Sequence, residues 1–245
     1  MITVFGRKAV LEALLDPDVA VSLVLVGRDA RGDAVTAVIE AARARGVDLK
    51  RVAAGKVTRV SGNGRHDQGV VAEVDSAGPA GLDGWLEDRQ EGPLALVLLD
   101  GVTTPANVGM ILRAVTAAGL DGVVLPRSGS PDIGPLVVKA SAGVAFRATV
   151  LAAESPADAV ASLARGGVVS VGLRGGDAPD LFGSALPDRA AYVLGNETRG
   201  VTVACDEWRS IPLANGVESL NVAVAAGILA YEVARRVTER GPAVS

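Results

Sequence analysis

The stretch from Tyr192 to Arg236, YVLGNETRGVTVACDEWRSIPLANGVESLNVAVAAGILAYEVARR, constrains the chain most. It joins a short apolar strand ending in Gly195-Asn196-Glu197 to a tight polar loop, 214–218, which opens into a long apolar helix starting near Ser219. A strand end beside a helix start makes a ligand crevice, because the first amides of a helix lack intrahelical acceptors. Gly195, Gly200 and Gly216 let a ligand approach the main chain closely. Over 220–236 the helix is apolar almost all round, with Val222, Val224, Ile228, Leu229 and Val233, and shows little hydrophilic face before Glu232, Arg235 and Arg236. Such a helix has to be buried against something large.

Composition narrows the chemistry. The chain has 245 residues, 49% of them hydrophobic, enough for one large domain or two modest ones. Its single cysteine, Cys205, cannot close an internal disulfide, and with His66 as the single histidine a four-ligand zinc site is not expected. No metal is therefore called for, and a histidine-dependent hydrolase is disfavoured. The opening MITVFGRKAVLEALL is broken by Arg7, Lys8 and Glu12, unlike a secretory leader, and no apolar run approaches membrane-spanning length. A cytoplasmic protein without membrane partners is the expectation. The net charge of −4 argues mildly against nucleic acid, although most of the cations are arginine, suited to phosphate.

Taken in order, 3–15 reads as a helix with Val4, Ala9, Val10, Ala13 and Leu14 inward, followed by a buried strand over 21–26, a helix over 32–45, a strand in VDLKRVA, a helical turn over 55–60 and a strand over 69–74. Strands alternating with helices predict a small α/β domain over 1–78. Its loop Ser61–Gly69, SGNGRHDQG, exposes polar side chains among three glycines, and reads equally as a functional loop or as a glycine-rich hairpin with one surface histidine. Residues 79–92, rich in glycine and acids, read as a linker holding a short helix near Trp85. A second domain over 93–245 opens on the continuous apolar strand LALVLLD, of the kind found in parallel sheets covered on both faces. Thr104 and Pro105 supply a cap and a first helical residue. On that helix Asn107 lies at the strand's carboxyl end, where open α/β sheets place ligands. Singly, Asn107 also reads as a turn residue, Arg113 as a solvated helix charge, and Ser219 as a helix cap. Further strand, helix and strand sets follow, with Ser155 and Pro156 opening one helix. No GxGxxG follows a first strand, so the usual dinucleotide fingerprint is absent.

Three segments in order, LDGVTTPANVGMILRAVTAAGL (99–120), VLGNETRGV (193–201) and IPLANGVESLNVAVAAG (211–227), resemble the three motifs of the SpoU (TrmH) RNA ribose methyltransferases. Residues 1–78 resemble the small RNA-binding domain of the RlmB-like branch. The resemblance implies an α/β protein in which a trefoil-knotted SPOUT methyltransferase domain, a parallel sheet with helices on both faces, follows a small L30e-like α/β domain. It implies S-adenosyl-L-methionine as cofactor, with Gly195, Ile211 and Leu220 touching it and Leu173 and Leu213 enclosing it. It also implies 2'-O methylation of an RNA ribose by Asn107, Arg113, Glu197, Ser219 and Asn221. His66 and Gln68, in an HQG-like signature that carries Asp67 as an insertion, would grip RNA with Arg7 and Arg65. A homodimer through the knotted domain is implied as well. Thr104 departs from the pattern, standing where relatives often carry an acid. The substrate expected is 23S ribosomal RNA. A transfer RNA and, from another class, a catalytically silent RNA-binding protein of the same fold are the alternatives. Because a guanidinium stays protonated, Arg113 is expected to clamp phosphate and oxyanion rather than act as a free base.

Overall fold

The structure, a computed structural model, describes residues 2–17, 19–75 and 78–240. Ser76 and Ala77, at the start of the stretch read as the domain link, and the last five residues of the expected 93–245 domain lie outside the described residues. Two compact units result: Met1–Gly78 with Ile133–Arg147, and Pro79–Asp132 with Ala148–Ser245.

The first unit opens on a strand, β1 (Ile2–Phe5), where the sequence reading expected the start of a helix. Gly6, at φ 92°, takes a backbone conformation other residues avoid and ends the strand, so α1 runs only from Arg7 to Leu15. Val4, Ala9, Val10, Ala13 and Leu14 are all buried as expected, Val4 from the strand and the others from the helix. There follow β2 (Ala20–Gly27), α2 (Asp33–Ala44), β3 (Asp48–Val52), α3 (Ala54–Ser61) and β4 (Val70–Asp75). The sheet order is β1-β4-β2-β3. β4 runs antiparallel to β1 and β2, whereas β2 and β3 are parallel and joined by the α2 crossover. Phe5, Leu25, Val57 and Val71 form a buried cluster on one face.

Pro79 begins the second unit, which forms β5 (Ala80–Gly81), α4 (Leu82–Glu87), β6 (Leu94–Asp100), α5 (Pro105–Ala117) and β7 (Gly122–Pro126). The chain then supplies α6 (Pro135–Ala140) and a 3-10 turn over Val144–Phe146 to the first unit. It returns to the second as β8 (Val150–Ala153), α7 (Pro156–Arg165), β9 (Val169–Leu173), β10 (Arg189–Gly195), β11 (Glu207–Arg209) and α8 (Val222–Arg240). Seven strands lie in the order β11-β9-β10-β6-β7-β8-β5, every pair parallel. One face of β6 packs Leu94, Leu96 and Leu98 against Leu82 and Leu86 of α4 and Ala159 and Leu163 of α7, with Trp85 beside them. Alternation along the strand turns Val97 and Leu99 to the other face, where α5 and α8 pack together. The stretch read as a linker thus contributes an edge strand and a helix to this core.

Helix ends match their sequence signals unevenly. Ser155 caps α7 by accepting the Asp158 N–H at 3.1 Å. Thr104 occupies the cap position of α5, but its hydroxyl makes no capping bond. α8 begins at Val222, later than expected, and is capped by Asn221 rather than Ser219: the Asn221 Oδ1 accepts from Ala223 N at 3.0 Å and Val224 N at 3.3 Å. Segment 210–218, which precedes it, is laced against 174–181. The Ser210 hydroxyl donates to the Ala178 carbonyl at 2.8 Å, and the Leu181 N–H donates to Ser210 O at 2.8 Å. Near its other end, α8 is tied to the same crossing, because Arg236 donates to the carbonyls of Leu181 at 2.6 Å and Phe182 at 2.8 Å, and also to that of Ser184. No helix among the described residues is long and apolar enough to cross a membrane.

Glu232 holds that anchor in place. Buried on α8, it accepts from Arg235 at 2.8 and 2.9 Å and from Arg236 at 2.6 Å, and these bonds hold its pKa down at about 2, against an ordinary 4.5. Because the folded-state value is the lower one, the stability it adds is complete above about pH 4.5 and is lost as pH falls towards 2. Glu232→Gln should lower stability at neutral pH by on the order of 1–3 kcal/mol. It should also flatten the loss between pH 5 and 2 relative to wild type, a difference that denaturant titration across that range would measure.

Candidate active site

β6 and β10 are neighbours in register, with Gly195 opposite Asp100. From β6 the chain proceeds through α5 to β7 on one side, while β10 lies on the other with β9 beyond it. The carboxyl ends of these two strands therefore flank the crevice that open parallel sheets use for ligands.

Asp100 organises the crevice. Its carboxylate is buried, and Oδ2 accepts from Thr202 N at 2.5 Å, Thr202 Oγ1 at 2.9 Å and Val203 N at 3.2 Å. The loop after β10 is thereby drawn back onto β6. Asn196 helps, donating Nδ2 to Gly101 O at 3.0 Å and accepting Thr198 N at 2.9 Å, while Gly200 N closes the loop on Asn196 O at 2.8 Å. A side chain at Gly195 would put its Cβ 2.0 Å from the Gly200 carbonyl carbon. Glycine at 195 is demanded by this fold-back, a reason distinct from the ligand approach inferred from the sequence. Sequence reasoning missed Asp100 and Asn196; an acid ending the otherwise apolar LALVLLD was the available signal for the first.

The fold-back delivers Glu197 to the first turn of α5. Asn107, buried there, donates Nδ2 to Glu197 Oε1 at 2.5 Å, and its Oδ1 accepts Asn221 Nδ2 at 3.1 Å. Asn221 Oδ1 in turn accepts the first amides of α8. A carboxylate only accepts and a backbone amide only donates, so this chain of bonds fixes which way both asparagine amides face. Glu197 is thus engaged with Asn107, and Arg113 stands exposed on α5 with no hydrogen bond or ion pair among the described residues. Ser219 is exposed on the loop before α8.

Beside the Glu197 end of this relay lies a cavity of about 170 Å³. Leu173, Gly195, Ile211, Leu213 and Leu220, the residues singled out for a cofactor, all line it, together with Glu197 and Ser219. Arg174 and Glu218 line it too, and neither was picked from the sequence. Residues 212–219 are all exposed, leaving that wall open to solvent. Apolar walls, main chain and a few charges suit a small ligand with both apolar and polar parts. Cys205, burial having pushed its thiol up to about 11, is not poised as a nucleophile.

In the first unit, His66, Arg65 and Gln68 are exposed on the loop before β4. Arg7 meets Gln68, its N–H on Gln68 Oε1 at 3.1 Å and its Nε on Gln68 O at 3.2 Å, and His66 Nδ1 pairs with Asn63 Oδ1 at 2.9 Å. Asp67 is the buried anchor of the loop, accepting from Thr58, Ser61 and Gly69 at 2.8–3.2 Å. Arg65 makes no contact of this kind with the other three.

Residues 94–231 match the SpoU rRNA Methylase family, and residues 3–80 match the family described as RNA 2'-O ribose methyltransferase substrate binding. The chain belongs to the SpoU rRNA methylase family. The SpoU relative named 23S rRNA (guanosine-2'-O-)-methyltransferase RlmB in Xanthomonas campestris is 34% identical over 240 residues, covering 95% of this chain and 96% of its own. An uncharacterized tRNA/rRNA methyltransferase of Mycolicibacterium gilvum is 36% identical, covering 95% of this chain and 76% of its own. Among solved SpoU structures, the methyltransferase AviRb of Streptomyces viridochromogenes in complex with AdoMet is similar at TM-score 0.78 and 25% identity, covering 96% of this chain and 90% of its own. The α/β architecture expected for this SpoU chain, a parallel sheet with helices preceded by a small α/β domain, is borne out.

Asp100→Asn tests the latch on which the SpoU motif residues depend. With its amide oxygen turned to the Thr202 and Val203 amides it replaces a charged acceptor by a neutral one, and should cost about 1–3 kcal/mol by weakening those buried bonds. Hydrogen exchange at Thr202 and Val203 should accelerate well beyond what global destabilisation explains.

Proposed function

We propose that the chain is an S-adenosyl-L-methionine-dependent RNA 2'-O-ribose methyltransferase acting on 23S ribosomal RNA, with 1–78 as its RNA-binding domain and 93–245, whose core 79–92 joins, as the catalytic domain. The observation that carries the reading is the Glu197–Asn107–Asn221 relay, standing at the rim of a cavity lined by all five cofactor candidates. Bound in that cavity, the cofactor supplies an electrophilic methyl group on a sulfonium. Leu173, Gly195, Ile211, Leu213 and Leu220, which line the cavity, would hold the adenosyl part, and the ribose would enter from the exposed 212–219 side.

Transfer to the 2'-oxygen requires a nucleophile placed in line, so positioning is the larger part of the task. The relay holds the first turns of α5 and α8 in one arrangement, and Asn107, Glu197 and Asn221 thereby fix the floor on which the ribose lies. Ser219, exposed beside Leu220, donates or accepts at the ribose. Arg113, uncommitted within the described residues, clamps the neighbouring phosphate and the developing oxyanion, and the proton leaves to that phosphate or to water. The exposed loop of His66, Gln68 and Arg65, with Arg7 bonded to Gln68, supports RNA gripping by the first unit.

The protein acts in the cytoplasm as a homodimer and uses no metal. An exposed apolar stripe supports the dimer: Val224 and Tyr231 on α8 are 51% and 58% exposed, and Met110 on α5 is 43% exposed. Uncovered apolar patches of this kind mark association surfaces. Val224→Asp with Tyr231→Glu should convert the dimer to a monomer in light scattering.

Labelled methyl transfer to separated RNA pools from cells lacking the protein tests the function. Wild type should label 23S rRNA at one alkali-resistant 2'-O-methylated linkage. Arg113→Ala should lower the rate by about 10²–10³-fold, and Arg113→Lys should recover little of it, because an ammonium lacks the fork geometry. Label confined to tRNA would keep the chemistry and replace the substrate, whereas cofactor binding without label would favour a silent RNA-binding protein.

A further inference from the structure

Arg174 follows β9 directly and stands on the cavity wall, where it is the cation among lining residues that also include the acids Glu197 and Glu218. Its guanidinium stacks over the Trp208 ring, 4.7 Å from the centroid. Trp208 lies in β11, paired in register with Gly172 of β9, so the ring is fixed by the sheet itself. The Arg174 main chain is fixed as well, its N–H donating to Arg209 O at 3.1 Å. Among the described residues no acceptor bonds the guanidinium. Stacking holds the plane and leaves the N–H edge free, which is the arrangement that receives a carboxylate through two parallel bonds.

The charges around the cavity favour a zwitterion over a polyanion. Glu197 is engaged with Asn107, and Glu218 lies on the segment that passes Gly175, with its carbonyl 3.6 Å from where a Cβ at 175 would stand. Two carboxylates beside one guanidinium repel an RNA backbone, whereas they match an amino acid that presents an ammonium and a carboxylate together. We propose that Arg174 is a binding residue for the cofactor's amino-acid carboxylate, so that the cavity reads the amino-acid tail as well as the nucleoside. This rests on the cofactor reading given above.

Calorimetric titration of the full chain with S-adenosylhomocysteine and with 5'-methylthioadenosine separates the two parts. The second ligand keeps the adenosyl thioether and lacks the amino acid. Arg174→Ala should weaken S-adenosylhomocysteine about ten- to a hundredfold, the range for a hydrogen-bonded charge, and leave 5'-methylthioadenosine within about twofold, which also shows that the cavity is intact. Arg174→Lys should fall between, retaining charge without the stacked fork. Equal losses for both ligands, or no loss for either, would overturn the assignment, the second with weakened RNA binding pointing to a phosphate contact instead. Failure of the wild type to bind either ligand would sink the cofactor reading itself, and the assignment with it.

Discussion

A buried carboxylate without a cation beside it is costly unless donors surround it, and the carboxyl end of β6 is built around that requirement. Asp100 meets it with the amides of Thr202 and Val203 and the Thr202 hydroxyl, all from a loop that leaves the neighbouring strand. The parallel register setting Gly195 opposite Asp100 brings those donors within reach. Because 196–200 must double back to make the contact, the space beside Gly195 is filled by main chain, and the polar residue that emerges at the turn is Glu197. Its partner Asn107 lies across the strand pair, one helix start away. One satisfied carboxylate thus leads to the placement of a second.

From Glu197 onward, rigidity comes from directionality rather than from burial. Each asparagine amide has one donor end and one acceptor end, and a chain of two such groups has no preferred orientation by itself. Ending it on a carboxylate at one side and on helix amides at the other removes the alternative. On the proposed function, the floor of the site would be set before any ligand arrives, so little of the binding energy would go into ordering it.

Much of this was readable in the sequence, and what was not has a common cause. The strand LALVLLD and the Ser155 cap carry local signals and stand as expected, and the motif segments lie within the stretch that matches the SpoU family. The first strand was hidden because Val4 is buried in either a strand or a helix, and one glycine at positive φ decided between them. At the start of α8, Ser219 and Asn221 are both good caps by type, and the choice depends on Asn107, which arrives from far along the chain. Asp67 reads as an insertion in a loop, yet it is the residue that three neighbours bond. The first partnership is set by sheet order and the second by the local path of a loop, and periodicity reports neither.

α8 resolves the one tension the sequence presents, a helix apolar nearly all round that carries polar anchors at both ends. Its buried stripe, Val222, Ala226, Leu229 and Val233, faces the core. Near one end Asn221 joins the relay, and near the other Arg236, braced by Glu232, holds the carbonyls of Leu181, Phe182 and Ser184, on the segment leading back to Leu173 and Arg174. Both ends of the helix therefore fix chain segments that run on to the cavity wall. Val224 and Tyr231, seven residues apart, turn exposed side chains to the opposite stripe, and only the Val224 main-chain N–H takes part in an anchor, on Asn221 Oδ1. On the proposed dimer, a second subunit covering that stripe would bury apolar surface without breaking either attachment, so that one helix would serve the proposed site and an association surface together.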